Sequence, residues 1–329
     1  MTSVRLFVTA GLLWVLARRV DFSGMLDLMV RASVPLLAAT LAALFAANLV
    51  IGLRWRLILS AQSAAPPLGS LLKIVFVGSF FNQVLPTGIG GDAVRAWRCR
   101  RLGVGLGAAI RSILLDRASG YVVLLAVYLV SLPALLHVLP DARQRSGIVL
   151  VFGAALSGLV GLLLLDRLPQ RLLRHRVIAP LAELSRESRR LFMHPRRCGA
   201  VLGLSVGAMV LTIVAFKLIG DSVGGRLSLQ NWAMIVPPVS FVQLLPISLA
   251  GWGVREVALV VALAAFGVPA EAALATSVLI GLSLIVVGLP GGLIWLTDWD
   301  IARPGDRAGA SATSDQAVGV ERQKTPIAS

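Results

Sequence analysis

Long apolar runs alternate with short basic stretches along this chain. Leu6–Ala17, Ser33–Leu53, Ala118–Leu139, Ser146–Leu165, Cys198–Gly220, Val254–Val268 and Ala272–Leu296 are apolar almost throughout. A helix needs about 20 such residues to cross a bilayer, and several of the runs reach that length while the first and sixth fall short. The runs are continuous and do not alternate with polar positions, which argues against a membrane β-barrel. Two further apolar segments, Leu71–Pro86 and Leu229–Pro246, end in residues that break helices. The pattern predicts an all-α, polytopic integral membrane protein with seven to nine membrane elements, two of them broken or re-entrant.

The broken segments are related to each other. Phe81–Arg95 reads FNQVLPTGIGGDAVR and Phe241–Arg255 reads FVQLLPISLAGWGVR, aligned without a gap at an offset of 160. Seven of fifteen positions are identical: Phe81/Phe241, Gln83/Gln243, Leu85/Leu245, Pro86/Pro246, Gly91/Gly251, Val94/Val254 and Arg95/Arg255. Leu and Val matches are cheap in apolar sequence, but matched Pro, Gln and Arg are not. The flanking runs overlap at the same offset, so we expect a duplication with halves at about 33–139 and 198–297. Paired interrupted segments in corresponding halves are the best pointer from sequence to a transporter's binding site.

Composition narrows the class. Hydrophobic residues make up 57% of the 329 positions, charged residues 14%, and mean hydropathy is +0.85. The formal charge of +15 would suggest nucleic acid in a soluble protein. Here the basic residues lie between apolar runs, where cytoplasmic loops meet anionic lipid. No nucleic-acid partner is expected. Lys73, Lys217 and Lys324 are the only Lys among 31 basic residues, and Arg is the better bidentate phosphate ligand.

Arg95–Arg117 and Gln170–Arg197 are the most basic stretches, and two spans separate them, so both fit the cytoplasmic side. In the second, Leu173, Val177, Leu181, Leu184 and Leu191 recur near helical spacing, which fits a cytoplasmic helix on anionic headgroups. The N-terminus reads as a retained first helix rather than a cleaved signal. Residues 1–300 are expected to form the membrane domain and 301–329 a disordered tail. Cys99, Cys198 and three scattered His give no metal spacing, and no nucleotide loop or catalytic constellation is visible. The expectation is a protein that is not an enzyme and takes no cofactor.

Pro86 and Pro246 remove backbone donors, and Gly90, Gly91 and Gly251 relax the chain, so the two motifs unwind. Unwound backbone at membrane depth survives only inside protein or against a watery cavity. Asn82, Gln83 and Gln243 could then read a ligand's polar atoms. Asp92 suits an N-cap of the following helix as well as a ligand contact. Arg95 and Arg255 either grip an anionic phosphate or pair with Asp92 and Glu256. Asp116 and Arg117 sit at the start of a span; they do not face each other, so Asp116 would pair with a basic residue elsewhere in the core. Arg54, Trp55 and Arg56 read as an interfacial anchor, and Trp232, Trp252, Trp295 and Trp299 also suit interfaces.

FFNQVLPTGIGGDAVRAWRCRRLG, SILLDRASGY and LLPISLAGWGVREVALVVALAAFGV resemble, in order and spacing, the flippase-like transmembrane domain of lysylphosphatidylglycerol synthases. The resemblance covers about residues 5–300. It implies a multi-pass protein of the bacterial inner membrane that moves or binds lipids or lipid-linked substrates. In two-part synthases a soluble domain adds the amino acid; this chain leaves no room for it after the last span, so aminoacyl transfer is not expected. The second motif carries Trp252 where the first carries Asp92, so the halves need not act alike. The leading expectation is a lipid translocase driven by a gradient or by downhill flow, its headgroup held at both motifs and charge balanced by Asp92, Asp116 and Glu256. The alternative is a non-transporting membrane partner that holds a glycosyltransferase or lipid-modifying enzyme.

Overall fold

Every element of the computed structural model is a helix among the described residues, which are 11, 20–62, 65–85, 90–138, 142–164, 167, 178–244 and 253–298. The helices are α1 (Phe22–Val30), α2 (Val34–Gln62), α3 (Leu68–Val84), α4 (Gly90–Arg101), α5 (Leu106–Val138), α6 (Ala142–Leu164), α7 (Ile178–Met193), α8 (Pro195–Ser222), α9 (Leu229–Leu244), α10 (Val254–Ala264) and α11 (Ala270–Thr297). The described residues up to Gly292 pack as one unit. A second unit, Leu293–Ser329, contributes only Leu293–Asp298 to the described residues. The expected first span Leu6–Ala17, apart from Gly11, and the expected tail 301–329 lie outside the described residues.

Among the described residues, four helices are long and apolar enough to cross a membrane: α2, α5, α8 and α11. At about 1.5 Å per residue, α2 is about 43 Å long and α5 about 50 Å. The chain is thus a multi-pass helical membrane protein. Helix α5 begins at Leu106, twelve residues before the expected span. The polar residues Arg111, Asp116 and Arg117 lie inside it because neighbouring helices pair their charges. Asp21 precedes α1 and caps it, its carboxylate accepting from Ser23 N–H.

Helix positions recur at the same offset. Shifted by 160 residues, α2 falls on α8, α3 on α9, α4 on α10 and α5 on α11. The two halves run in opposite directions. Val50, Arg54 and Ile58 of α2 meet Gly207, Ser205 and Val201 of α8, so rising numbers face falling ones. These antiparallel equivalents make the most extensive helix contact of the bundle. Opposed equivalents at the centre define an inverted-topology repeat.

Contacts on either side of the centre repeat the relationship. Gly288 of α11 lies against Phe80 of α3, and Tyr128 of α5 lies 6.3 Å from Phe241 of α9, ring to ring. Residues 128 and 288 are equivalents at the offset of 160, and Phe80 is one residue before Phe81, the equivalent of Phe241.

Within the first half, α3 and α4 form a tight antiparallel hairpin. Gly78 faces Gly91 and Arg95, while Asn82 accepts a hydrogen bond from Gly91 N–H at 3.1 Å. A Cβ on Gly91 would collide with the Gly78 carbonyl, so only glycine allows this approach. In hydrocarbon, helices gain no hydrophobic free energy by associating, and close backbone packing carries the load instead. In α9, Pro237 cannot donate to the Ala233 carbonyl; Ser131 Oγ of α5 donates to it at 3.4 Å.

Candidate functional site

The first hairpin carries a buried ladder of charges through four helices. Arg54 of α2 donates from Nη1 to Ser205 Oγ of α8 at 3.0 Å and from Nε to Asp116 Oδ1 of α5 at 2.7 Å. Arg95 of α4 donates from Nη2 to the other oxygen of Asp116 at 3.1 Å and from Nη1 to Asp92 at 3.4 Å. Arg117 Nε of α5 closes the ladder on Asp92 Oδ2 at 3.0 Å. Arg54, Arg95 and Asp116 are all buried, at 6%, 5% and 1% exposure.

The Arg95 guanidinium also sits 4.3 Å over the ring of Trp55, which is itself wholly buried and donates to Ser112 Oγ at 3.0 Å. Arg54 lies about 12 Å from the end of α2 and Asp116 about 15 Å from the start of α5, so the ladder is well inside the bundle.

Three guanidiniums face two carboxylates here, leaving one surplus positive charge. Arg95 Nε is buried and has no hydrogen-bond partner. A buried, unmatched charge is costly at membrane depth, and such groups mark function by default.

The second hairpin, α9 with α10, carries a different arrangement. Arg255 donates to Glu256 Oε1 from Nη2 at 2.7 Å and from Nε at 3.2 Å, and also to Ser277 Oγ of α11 at 3.1 Å. Ser277 donates to the same Glu256 oxygen at 3.0 Å, and Gly253 N–H donates to the other. Gly253 has φ 84°, in the left-handed region, and begins α10. Arg255 and Glu256 are 2% and 1% exposed and cancel in charge. At the offset of 160, Arg255 matches Arg95, Ser277 matches Arg117, and Thr276 matches Asp116. The motif arginine is kept in both halves, and its anchor is on the same turn of the long helix. The acid has moved from α5 in the first half to α10 in the second.

The sequence-derived candidates fall into three groups. Arg95, Asp92, Asp116 and Arg117 converge with Asn82, Gly90 and Gly91 on the first hairpin, and Arg255 with Glu256 on the second. Gln83 is half-buried near the end of α3, while Gln243 turns its amide back to Val239 O at 3.3 Å. Pro86, Pro246 and Gly251 lie outside the described residues.

Asp92 is not an N-cap. It is the third residue of α4, and its carboxylate is bound to two guanidiniums. Arg54 and Trp55 are not an interfacial anchor but part of the buried ladder; Arg56 alone of that trio is exposed. Trp232 is likewise core, wholly buried against Gly220 and Phe216. The signal for Arg54 was available: Ser112, Asp116 and Ser119 recur at three- and four-residue spacing, a polar stripe on α5 that needs a partner.

At the outer end of the ladder, α7 is tied down by charge. Arg111 of α5 pairs with Glu183 at 3.3 Å and with Glu187 at 2.7 Å, and Gln62 at the end of α2 donates to Glu187 at 2.8 Å. The basic last turn of α4, with Arg98, Arg100 and Arg101, belongs to the same end of the bundle.

Residues 3–292 match the family model described as Lysylphosphatidylglycerol synthase TM region. No curated protein matches the chain.

Proposed function

We propose, from the premise that the chain belongs to the lysylphosphatidylglycerol synthase TM region family, that it translocates a lipid or lipid-linked substrate with an anionic headgroup. The observation that carries this reading is the surplus guanidinium buried beside the α3–α4 hairpin, in a bundle built as an inverted repeat. Inverted repeats with discontinuous helices are the usual architecture of secondary transporters, with the site at the repeat interface.

In this reading the two hairpins are re-entrant and enter from opposite faces of the bacterial inner membrane. The end that holds α7, Arg98, Arg100, Arg101 and Arg111 faces the cytoplasm by its positive charge. Arg95 and Arg117 bind the phosphate, the surplus charge being matched only when an anion arrives. Asn82, Gln83 and Gln243 contact polar headgroup atoms. Arg255 and Glu256 hold the second hairpin in shape.

The test is a proteoliposome assay with headgroup-labelled phosphatidylglycerol and phosphatidylcholine, read by access to a membrane-impermeant quencher. Faster equilibration of the anionic lipid, lost in Arg95→Gln, is the expected result. Equal rates with and without protein across several anionic lipids would overturn the reading.

A further inference from the structure

A groove of about 470 Å³ runs between the α9–α10 hairpin and the α5–α6 pair. Every side chain lining it is apolar, among them Met234, Pro238, Val242, Val257 and Val261, with Ile148 of α6 as the far wall. Its volume falls within the about 300–1,000 Å³ of small-molecule sites.

The pseudo-symmetry gives this lining its meaning. Lining residues Val239, Val242, Val257, Ala258 and Val261 correspond, at the offset of 160, to Ser79, Asn82, Trp97, Arg98 and Arg101. At four of these positions, Ser79, Asn82, Arg98 and Arg101, the first hairpin is polar or basic where the second is aliphatic; the remaining hairpin positions of the lining match Trp97, Gly78, Gly105 and the aliphatic residues Ile74, Val75, Val94 and Leu102. A duplicated element that has diverged in this way fits an amphiphile, with a charged end for one copy and an apolar end for the other. Charge along the groove agrees. Val254 and Val257, two of its lining residues, flank the neutral Arg255–Glu256 pair, and among the described residues no charged side chain lines it.

We infer that this groove holds one acyl chain of an anionic phospholipid. The inference rests on the translocase reading and gives the second hairpin its role in it. A second copy of the chain is a poorer occupant. A spanning helix about 10 Å across and about 30 Å long is about 2,400 Å³, roughly five times the groove, so it would enter only by side chains.

The test uses the full chain in phosphatidylcholine vesicles doped with phosphatidylglycerol that carries a photoreactive diazirine midway along one acyl chain. Cross-linked peptides are then mapped by mass spectrometry. Labelling should concentrate on Met234–Val242 and Val254–Ala262, and excess unlabelled phosphatidylglycerol should reduce it several-fold where phosphatidylcholine does not. Ala258→Trp should fill the groove, remove that labelling and slow phosphatidylglycerol movement at least tenfold. Ala258→Leu should act in the same direction with a smaller change, in case the larger side chain prevents folding. Val210→Trp, on an exposed face of α8, should change neither.

Labelling spread evenly over exposed apolar positions, or undiminished in both Ala258 variants, overturns the chain site while lipid movement stands. Cross-links between two copies through the groove also overturn it. If the wild type moves no lipid, the translocase reading fails, and selective, competed labelling still decides for or against the groove as a phospholipid site.

Discussion

Arg54 and Asp116 stand 62 positions apart and meet at 2.7 Å in a buried ion pair that joins α2 to α5. Asp116 also accepts from Arg95, so a single carboxylate holds three helices. Asp116→Asn would leave two guanidiniums facing each other with no charge between them. Breaking a buried pair costs about 3–5 kcal/mol. The variant should lose its monodisperse peak in size-exclusion chromatography in detergent, or unfold at a much lower temperature by tryptophan fluorescence. Arg54→Gln should be milder, because Arg95 then balances Asp116.

The two motif arginines should separate by phenotype. Removing Arg95 leaves Arg54 with Asp116 and Arg117 with Asp92, a neutral and fully paired set. Arg95→Gln should therefore fold normally and slow anionic lipid movement by at least about tenfold, or about 1.4 kcal/mol of lost stabilisation. Removing Arg255 instead strips Glu256 of its guanidinium partner at 1% exposure. Arg255→Gln should cost about 3–5 kcal/mol of stability. Transport rates measured alongside thermal unfolding of both variants check the contrast.

Membrane character and the long helices were legible in the sequence, because each rests on a local signal. Continuous apolar runs mark spans, and matched Pro, Gln and Arg mark the repeat. The direction of the repeat was not legible. It rests on long-range packing, α2 against α8 and Gly78 of α3 against Gly91 of α4, which the identities of those residues do not announce. The partner of Asp116 was foreseen as a basic residue in the core, but Arg54 was placed at the interface. An Arg beside a Trp looks the same at a headgroup and in a ladder until the facing helix is known. Asp92 as a cap followed from reading the helix start three residues late, at Ala93; α4 begins at Gly90.

Close backbone packing should show in glycine substitutions. A Cβ on Gly291 of α11 would stand 2.0 Å from the Phe76 carbonyl oxygen of α3, a rigid backbone atom. Gly291→Ala should force the helices apart at a cost of about 1–3 kcal/mol or more. Gly203→Ala on α8 meets open space and should be neutral or stabilising by up to about 1 kcal/mol. Thermal unfolding of the two variants in the same detergent compares them directly.

The hairpin geometry makes a topological prediction that needs no ligand. If α3 and α4 turn back within the membrane, the start of α3 and the end of α4 share one face. If the segment crosses, they lie on opposite faces. In a Cys99→Ser, Cys198→Ser background, single cysteines at Gly69 and Leu102 should react with an impermeant maleimide from the same side. Both positions are exposed. Cysteines at Ser228 and Ala264, likewise exposed at the start of α9 and the end of α10, should also share a side with each other. That side should be opposite to the first, because α8 runs antiparallel to α2. Reaction of Gly69→Cys and Leu102→Cys from opposite sides would show a crossing segment. All four reacting from one side would leave the hairpins intact but remove the opposed entry on which the inverted transport geometry depends.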